Sequence, residues 1–363
     1  PMPVTIPAVM ISQADGMAVY AKMNAGTTVT ASLKAAMVNN DSSLDGMIVS
    51  HEWGHTMSNR LIGNGSGLVN NQGRSMGEGW SDFVALLMTT RPEDATATAN
   101  PNWNGAFAAA AYSTGPGGNS AYEGIRRYPY SADMTKNPLS FRHIANGTAL
   151  PAMPVPAFGQ DGASNAEVHN SGEVWTTALW ECYVALLRDT ARYTVPQASQ
   201  RMREYLISSL KLTPLSPTMI EARDAVLMSA LARDGKDFEL FARAFAKRGM
   251  GVGAVAPPRG STTHAGVVES NAVGGVIVVD SITVDDSRHS CDRDGILDNA
   301  EMGYLTIKLR NTGTLPYKAT ANVATDSGAI SFPYGSRMGF PTVPPFQTVT
   351  SHVAISMRGA PSR

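Results

Sequence analysis

Five consecutive residues constrain this chain more than anything else in it: His51-Glu52-Trp53-Gly54-His55, a His-Glu-x-x-His sequence. On an α-helix, residues four apart share a face, so His51 and His55 can aim two imidazoles at one metal ion. Glu52, one position on, can address a water on that ion. Zinc takes neutral nitrogen or anionic ligands and lowers the pKa of its water toward neutrality; a carboxylate beside that water is a general base. A helical pattern over residues 44–59 carries the motif, and Met47-Ile48-Val49 is the apolar lead-in expected of a buried active-site helix. The plainer alternative is two surface histidines beside an unrelated glutamate.

A third ligand is expected downstream. Glu78 lies 23 residues after His55 within Gly77-Glu78-Gly79-Trp80-Ser81-Asp82-Phe83, at the start of a helix predicted over 78–90. Its carboxylate completes a three-ligand set and leaves the fourth position for water. Asp82, four residues on, shares that face and can accept the second N–H of a zinc histidine, fixing its tautomer. Glycines on both sides of Glu78 point to close packing rather than to a solvated acidic face.

Composition narrows the remaining choices. With 29 Lys and Arg against 30 Asp and Glu, the net charge is −1. That argues against nucleic acid as a partner, since phosphate binding needs a basic surplus. No apolar run reaches the roughly 18 residues of a membrane span. Charged residues are 16%, below the usual quarter or so, which fits a secreted chain. The first residue is Pro, and the expectation is a processed piece of a longer precursor. Cys182 sits on an apolar helical stripe and Cys291 in an acidic loop, so free, inert thiols are expected.

Further helices are predicted over 168–189, 197–210, 216–232 (opened by Ser216-Pro217) and 237–248, after an irregular Gly/Pro/Asn/Ala-rich region at 91–165. Residues 256–269, with Pro257-Pro258-Arg259-Gly260-Ser261, read as a linker. From 270 to 363 the helical period gives way to β-branched runs, Val276–Val279, Tyr304–Leu309 and Val349–Met357, read as an all-β sandwich. Early β-like runs fall at Val4–Ile11, followed by an Ala-rich helical stretch at Asp15–Ala25.

Taken together, HEWGHTMSNRL at 51–61 and MGEGWSDF at 76–83 resemble the fungalysin family of secreted zinc metalloendopeptidases, relatives of thermolysin. GIRRYPYSADMTKNPLSFRHI (124–144), VHNSGEVW (168–175) and the helical segments of 212–254 agree with it. The resemblance covers about 40–255 and implies an α+β fold with a mainly helical zincin lobe at 39–255. It implies His51, His55 and Glu78 as zinc ligands, Glu52 as general base, polypeptide substrates, an extracellular location and no acyl-enzyme. Residues 1–38 resemble the end of a protease-associated domain, which some bacterial members insert before the zinc helix. On that basis the chain is a bacterial member, and an upstream chain from the same precursor is a candidate partner. The residue that stabilises the oxyanion stays open among His169, Arg192, Tyr193, Tyr128 and Arg127.

Cys291-Asp292-Arg293-Asp294-Gly295-Ile296-Leu297-Asp298-Asn299-Ala300-Glu301 spaces carboxylates around a glycine, as oxygen-rich Ca²⁺ sites do. Asp292, Asp294, Asp298 and Glu301 are the calcium candidates, with Asp285 and Asp286 nearby. The alternative to an enzyme is a binding or assembly component that retains a structural zinc site; Glu52 argues against it, because a structural site has no use for that carboxylate.

Overall fold

A computed structural model of the chain describes residues 12–30, 40–63, 65–114, 120–152 and 162–359. It falls into two compact units, Pro1–Asn40 and Asp41–Arg363. In the first, α1 (Gln13–Asn24) is opened by Ser12, whose hydroxyl accepts the Asp15 N–H at 3.1 Å. The Val4–Ile11 runs lie outside the described residues.

The second unit begins with the motif helix, α2 (Gly46–Leu61). Asp45 is its N-cap, one carboxylate oxygen accepting the Met47 N–H at 2.9 Å. The other oxygen accepts the Ser113 N–H at 2.9 Å, pinning the irregular 105–114 stretch to the start of α2. Next comes α3 (Asn71–Thr89), which begins seven residues earlier than its sequence pattern indicates, so Glu78 lies mid-helix. Asn70 caps it. The glycines at 73, 77 and 79, poor helix formers, mask this start in the sequence.

Those small residues serve packing. Of the residues α2 buries, Ser50, Gly54 and Ser58 form one face, laid against α3. A Cβ on Gly54 would stand 2.6 Å from Ser81 Cα. On the other side of α3 lies α5 (Val168–Arg188), which follows the single turn α4 (Ser120–Glu123). A Cβ on Gly172 would meet Glu78 Cβ and Ser75 O at 2.9 Å. Thus α3, with Glu78, is held between two helices at near-backbone contact.

Behind this layer α6 (Val195–Leu212), α7 (Met219–Arg233) and α8 (Gly235–Lys247) close a core that includes Trp80, Phe83, Trp175, Trp180, Tyr183, Tyr205, Phe241 and Phe245. Helix α7 opens at Thr218, not at Ser216-Pro217. Thr218 and Glu221 form a capping box, so the Thr-x-x-Glu signature outcompetes the first-turn proline. The fully buried Arg248 donates to Glu181 and to the carbonyls of Ser131, Asn137 and Leu139, fastening the end of α8 to the 131–139 loop.

The 256–269 stretch is strapped to the helical lobe. Pro257 O accepts from Gln72, Thr263 O accepts the Asn146 N–H, and His264 is fully buried. After it come β1 (Ile277–His289), β2 (Met302–Asn311), β3 (Thr320–Asn322), β4 (Ile330–Ser331), β5 (Arg337–Gly339) and β6 (Thr348–Met357). They form an antiparallel four-stranded sheet, β1-β2-β6-β4, and a two-stranded sheet, β3-β5. Ile307, Leu309, Val353 and Ile355 of the larger sheet pack with Met338 and Phe340 in a small core. The fold is therefore α+β: a helical lobe followed by an antiparallel β region. Cys182 is buried, Cys291 exposed, and neither is in a disulfide. No helix among the described residues is long and apolar enough to cross a membrane.

Candidate metal centre

Helices α2 and α3 bring three ligand atoms to one point. His51 Nε2 and His55 Nε2 are 3.1 Å apart, and Glu78 Oε2 lies 3.2 and 3.5 Å from them. Ligands about 2.0–2.1 Å from a tetrahedral zinc ion are separated by about 3.3–3.4 Å, so the triangle has the right size. Its chemistry fits as well. His51 Nδ1 lies 2.7 Å from Asp82 Oδ1; with its proton there, Nε2 carries a lone pair facing another nitrogen and a carboxylate. Glu78 Oε2 is buried and, among the described residues, has no hydrogen-bond partner. A cation at the centre of the triangle gives both atoms a partner.

The electrostatics agree. Burial disfavours charge on His51, but the Asp82 and Glu78 carboxylates outweigh it and lift the pKa to about 9. Burial works against an ionised Glu78 too, yet His51 and His55 hold it well below the usual carboxylate range. The potential that draws a proton here also draws a divalent cation.

Around the triangle, Asp82 is gripped from the far side. Arg126 donates from Nε and Nη2 at 2.6 and 2.8 Å, and the Tyr130 hydroxyl donates to Oδ2. Burial would raise the Asp82 pKa, but Arg126 and the His51 bond override it and hold it well below normal. Arg126 and Tyr130 escaped the sequence reading. They lie 44 and 48 residues from Asp82, and nothing in their local pattern names their partner.

Beside the ligands is a cavity of about 180 Å³, lined by residues that include Glu52, His169, Met47, Ala85, Ala109 and Ile125. Part of its wall comes from the segments around Ala109 and Ile125, which isolated bridges link at Phe107–Tyr130 and Ala109–Gly124. Of the oxyanion candidates, only His169 reaches this place. It stands on the first turn of α5, with Nε2 3.4 Å from Glu78 Oε2 and Nδ1 2.8 Å from Glu167 Oε1.

The other candidates are elsewhere. Arg192 and Tyr193 bind the fully buried Asp237 at 2.7 and 3.1 Å, joining the α5–α6 turn to α8. Tyr128 is buried, donates to Pro151 O at 2.8 Å, and its pKa is pushed up to about 12 by burial. Arg127 points away from the cavity into a buried pair with Glu173.

The acidic loop also differs from its expected form. Asp286, Asp292 and Asp294 each offer an oxygen within 4.8 Å of the others. Asp298 is outside that group, and Glu301 is committed to the loop's own backbone. Its oxygens accept the Cys291 N–H at 2.6 Å and the Asp298 N–H at 2.9 Å.

A His-Glu-x-x-His helix whose third ligand comes from the next helix is the arrangement of a metallopeptidase. The chain belongs to the fungalysin metallopeptidase family, whose profile matches residues 5–254. It is similar to extracellular metalloproteinases of Aspergillus terreus (30% identity over 226 residues), Arthroderma otae (32% over 241) and Fusarium vanettenii (33% over 230). These matches cover 58, 62 and 59% of this chain but 31, 33 and 31% of the relatives, so the chain spans about a third of their length. These relatives are fungal, and the bacterial origin expected from residues 1–38 finds no support in them.

Proposed function

We propose that this chain is the catalytic part of a secreted zinc endopeptidase that hydrolyses internal peptide bonds. The observation that carries the reading is the convergence of His51, His55 and Glu78 beside a cavity lined by Glu52 and His169. Zinc, when bound, supplies a Lewis acid that polarises the scissile carbonyl and brings the pKa of a water near neutrality. Glu52 takes the proton of the attacking water and returns it to the leaving amine. His169, its Nδ1 held by Glu167, directs Nε2 at the oxygen that becomes negative as the carbonyl turns tetrahedral. Asp82 keeps the His51 tautomer, and Arg126 keeps Asp82. The alanine- and isoleucine-lined wall favours an apolar substrate side chain next to the scissile bond.

The outer face of α2 supports an upstream segment of the same precursor as partner. Val49 and Trp53, one turn apart, are 54 and 58% exposed beside the site, and an apolar stripe of that kind calls for a cover. Calcium at Asp286, Asp292 and Asp294 is the lesser part of the reading; a calcium-dependent rise in melting temperature would support it and an unchanged one would remove it.

The test is hydrolysis of a quenched-fluorescent peptide by the zinc-loaded chain and by its Glu52→Gln variant, with and without the upstream segment. Cleavage is expected to fall by about 10²-fold or more in the variant at equal zinc content. Equal cleavage by both proteins would remove Glu52 from its role. Zinc binding with no cleavage in any mixture would favour the structural-site alternative.

A further inference from the structure

We infer that the buried Arg127–Glu173 pair is a positioning device that fixes His169 against the Asp82–Arg126 side of the metal centre. The inference deepens the peptidase reading and rests on it. Arg126 and Arg127 lie in a bend, and their side chains go to different partners. Arg126 turns to Asp82. Arg127 turns to the start of α5, where its N–H and Nε donate to the two Glu173 oxygens at 2.7 and 2.8 Å. Its Nη1 donates to Asn165 Oδ1 at 2.8 Å and its Nη2 to Asn170 O at 2.6 Å.

The partners at 165, 170 and 173 therefore bracket His169, and one dipeptide clamps both the ligand-orienting carboxylate and the turn that carries His169. The same stretch of α5 is also tied to α3, where Thr176 donates to Gly79 O at 2.8 Å and the Ser75 and Ser171 hydroxyls meet at 3.1 Å. Arg127 and Glu173 are 5 and 2% exposed. A buried ion pair adds little stability over an apolar pair of the same size, because desolvation offsets the attraction. What a planar guanidinium held in several bonds does contribute is a fixed geometry. Neither side chain lines the cavity, so the pair acts through His169.

The experiment is a double-mutant cycle on the full zinc-loaded chain, together with its upstream segment if activity requires it. Glu173→Gln is expected to lower kcat about tenfold with KM changed less than about twofold, and to have no further effect in a His169→Ala background. Zinc content is expected to stay unchanged. The same fold loss in both backgrounds, or none in either, would overturn the inference. Should Glu173→Gln fail to fold, the apolar pair Arg127→Met/Glu173→Leu replaces it, with the same outcomes. Hydrogen exchange separates this claim from the peptidase reading, since it needs no activity. Faster exchange confined to 165–172, with 75–82 unchanged, is expected even for a chain that cleaves nothing; unchanged or uniformly faster exchange contradicts the positioning role.

Discussion

Asp82 shows how much a single side chain carries. It receives His51, Arg126 and Tyr130 at once, so it holds the His51 ring and is itself held. Asp82→Asn is expected to weaken zinc binding about 10–100-fold, measured by competition with a chelator, while the melting profile stays cooperative; unchanged affinity would mean that His51 needs no such partner. His143 gives a pH prediction away from the metal. It is almost fully buried, and burial together with neighbouring Arg142 pushes its pKa down to about 4, against a weaker opposing pull from Glu269. The unfolded chain then binds the proton first as pH falls, so stability is complete above about 6.5 and is lost between about 6.5 and 4. The loss amounts to at most about 3 kcal/mol. Urea unfolding across that window checks it, and a His143→Gln variant should flatten that part of the curve.

Helices α2 and α3 explain why so much of the centre could be read from the chain. His51, His55 and Glu52 are fixed by helical period alone, and Asp82 follows Glu78 by the same rule. What lay hidden was held by contacts between elements. Arg126, Tyr130 and the placement of His169 at the cavity depend on which helix face meets which loop, and no local period encodes that. The Thr218–Glu221 box is a readable signal just past Ser216-Pro217, and it sets the helix start. Helix contact gives its own prediction. Gly54→Ala places a methyl 2.6 Å from Ser81 Cα, a backbone atom that cannot swing aside, and should cost about 1–3 kcal/mol. Thermal unfolding measures the loss, and a parallel drop in zinc affinity is expected because the same contact sets the spacing of His55 and Glu78. An unchanged melting temperature would show that α2 and α3 can part without cost.

In the second unit as a whole, the strap at 256–269 joins what the sequence divides. Proline and glycine gave it the composition of a linker, yet Gln72, Asn146 and the socket of His264 hold it to the lobe. A chain ending at residue 255 should therefore melt below one ending at 275, although both keep the helices; equal melting would restore the linker reading. The β region itself was readable from its three β-branched runs, whereas the short strands β3, β4 and β5 were too brief to leave a pattern. Everything proposed for the intact protein depends on one ion in one place. X-ray absorption at the zinc edge of the loaded chain, beside its Glu78→Gln variant, is the measurement to make. One zinc per chain is expected, with two imidazole nitrogens and carboxylate oxygen at about 2.0–2.1 Å, and oxygen coordination altered in the variant. Sulfur ligands, zinc bound away from the two imidazoles, or a spectrum indifferent to Glu78 would contradict the account.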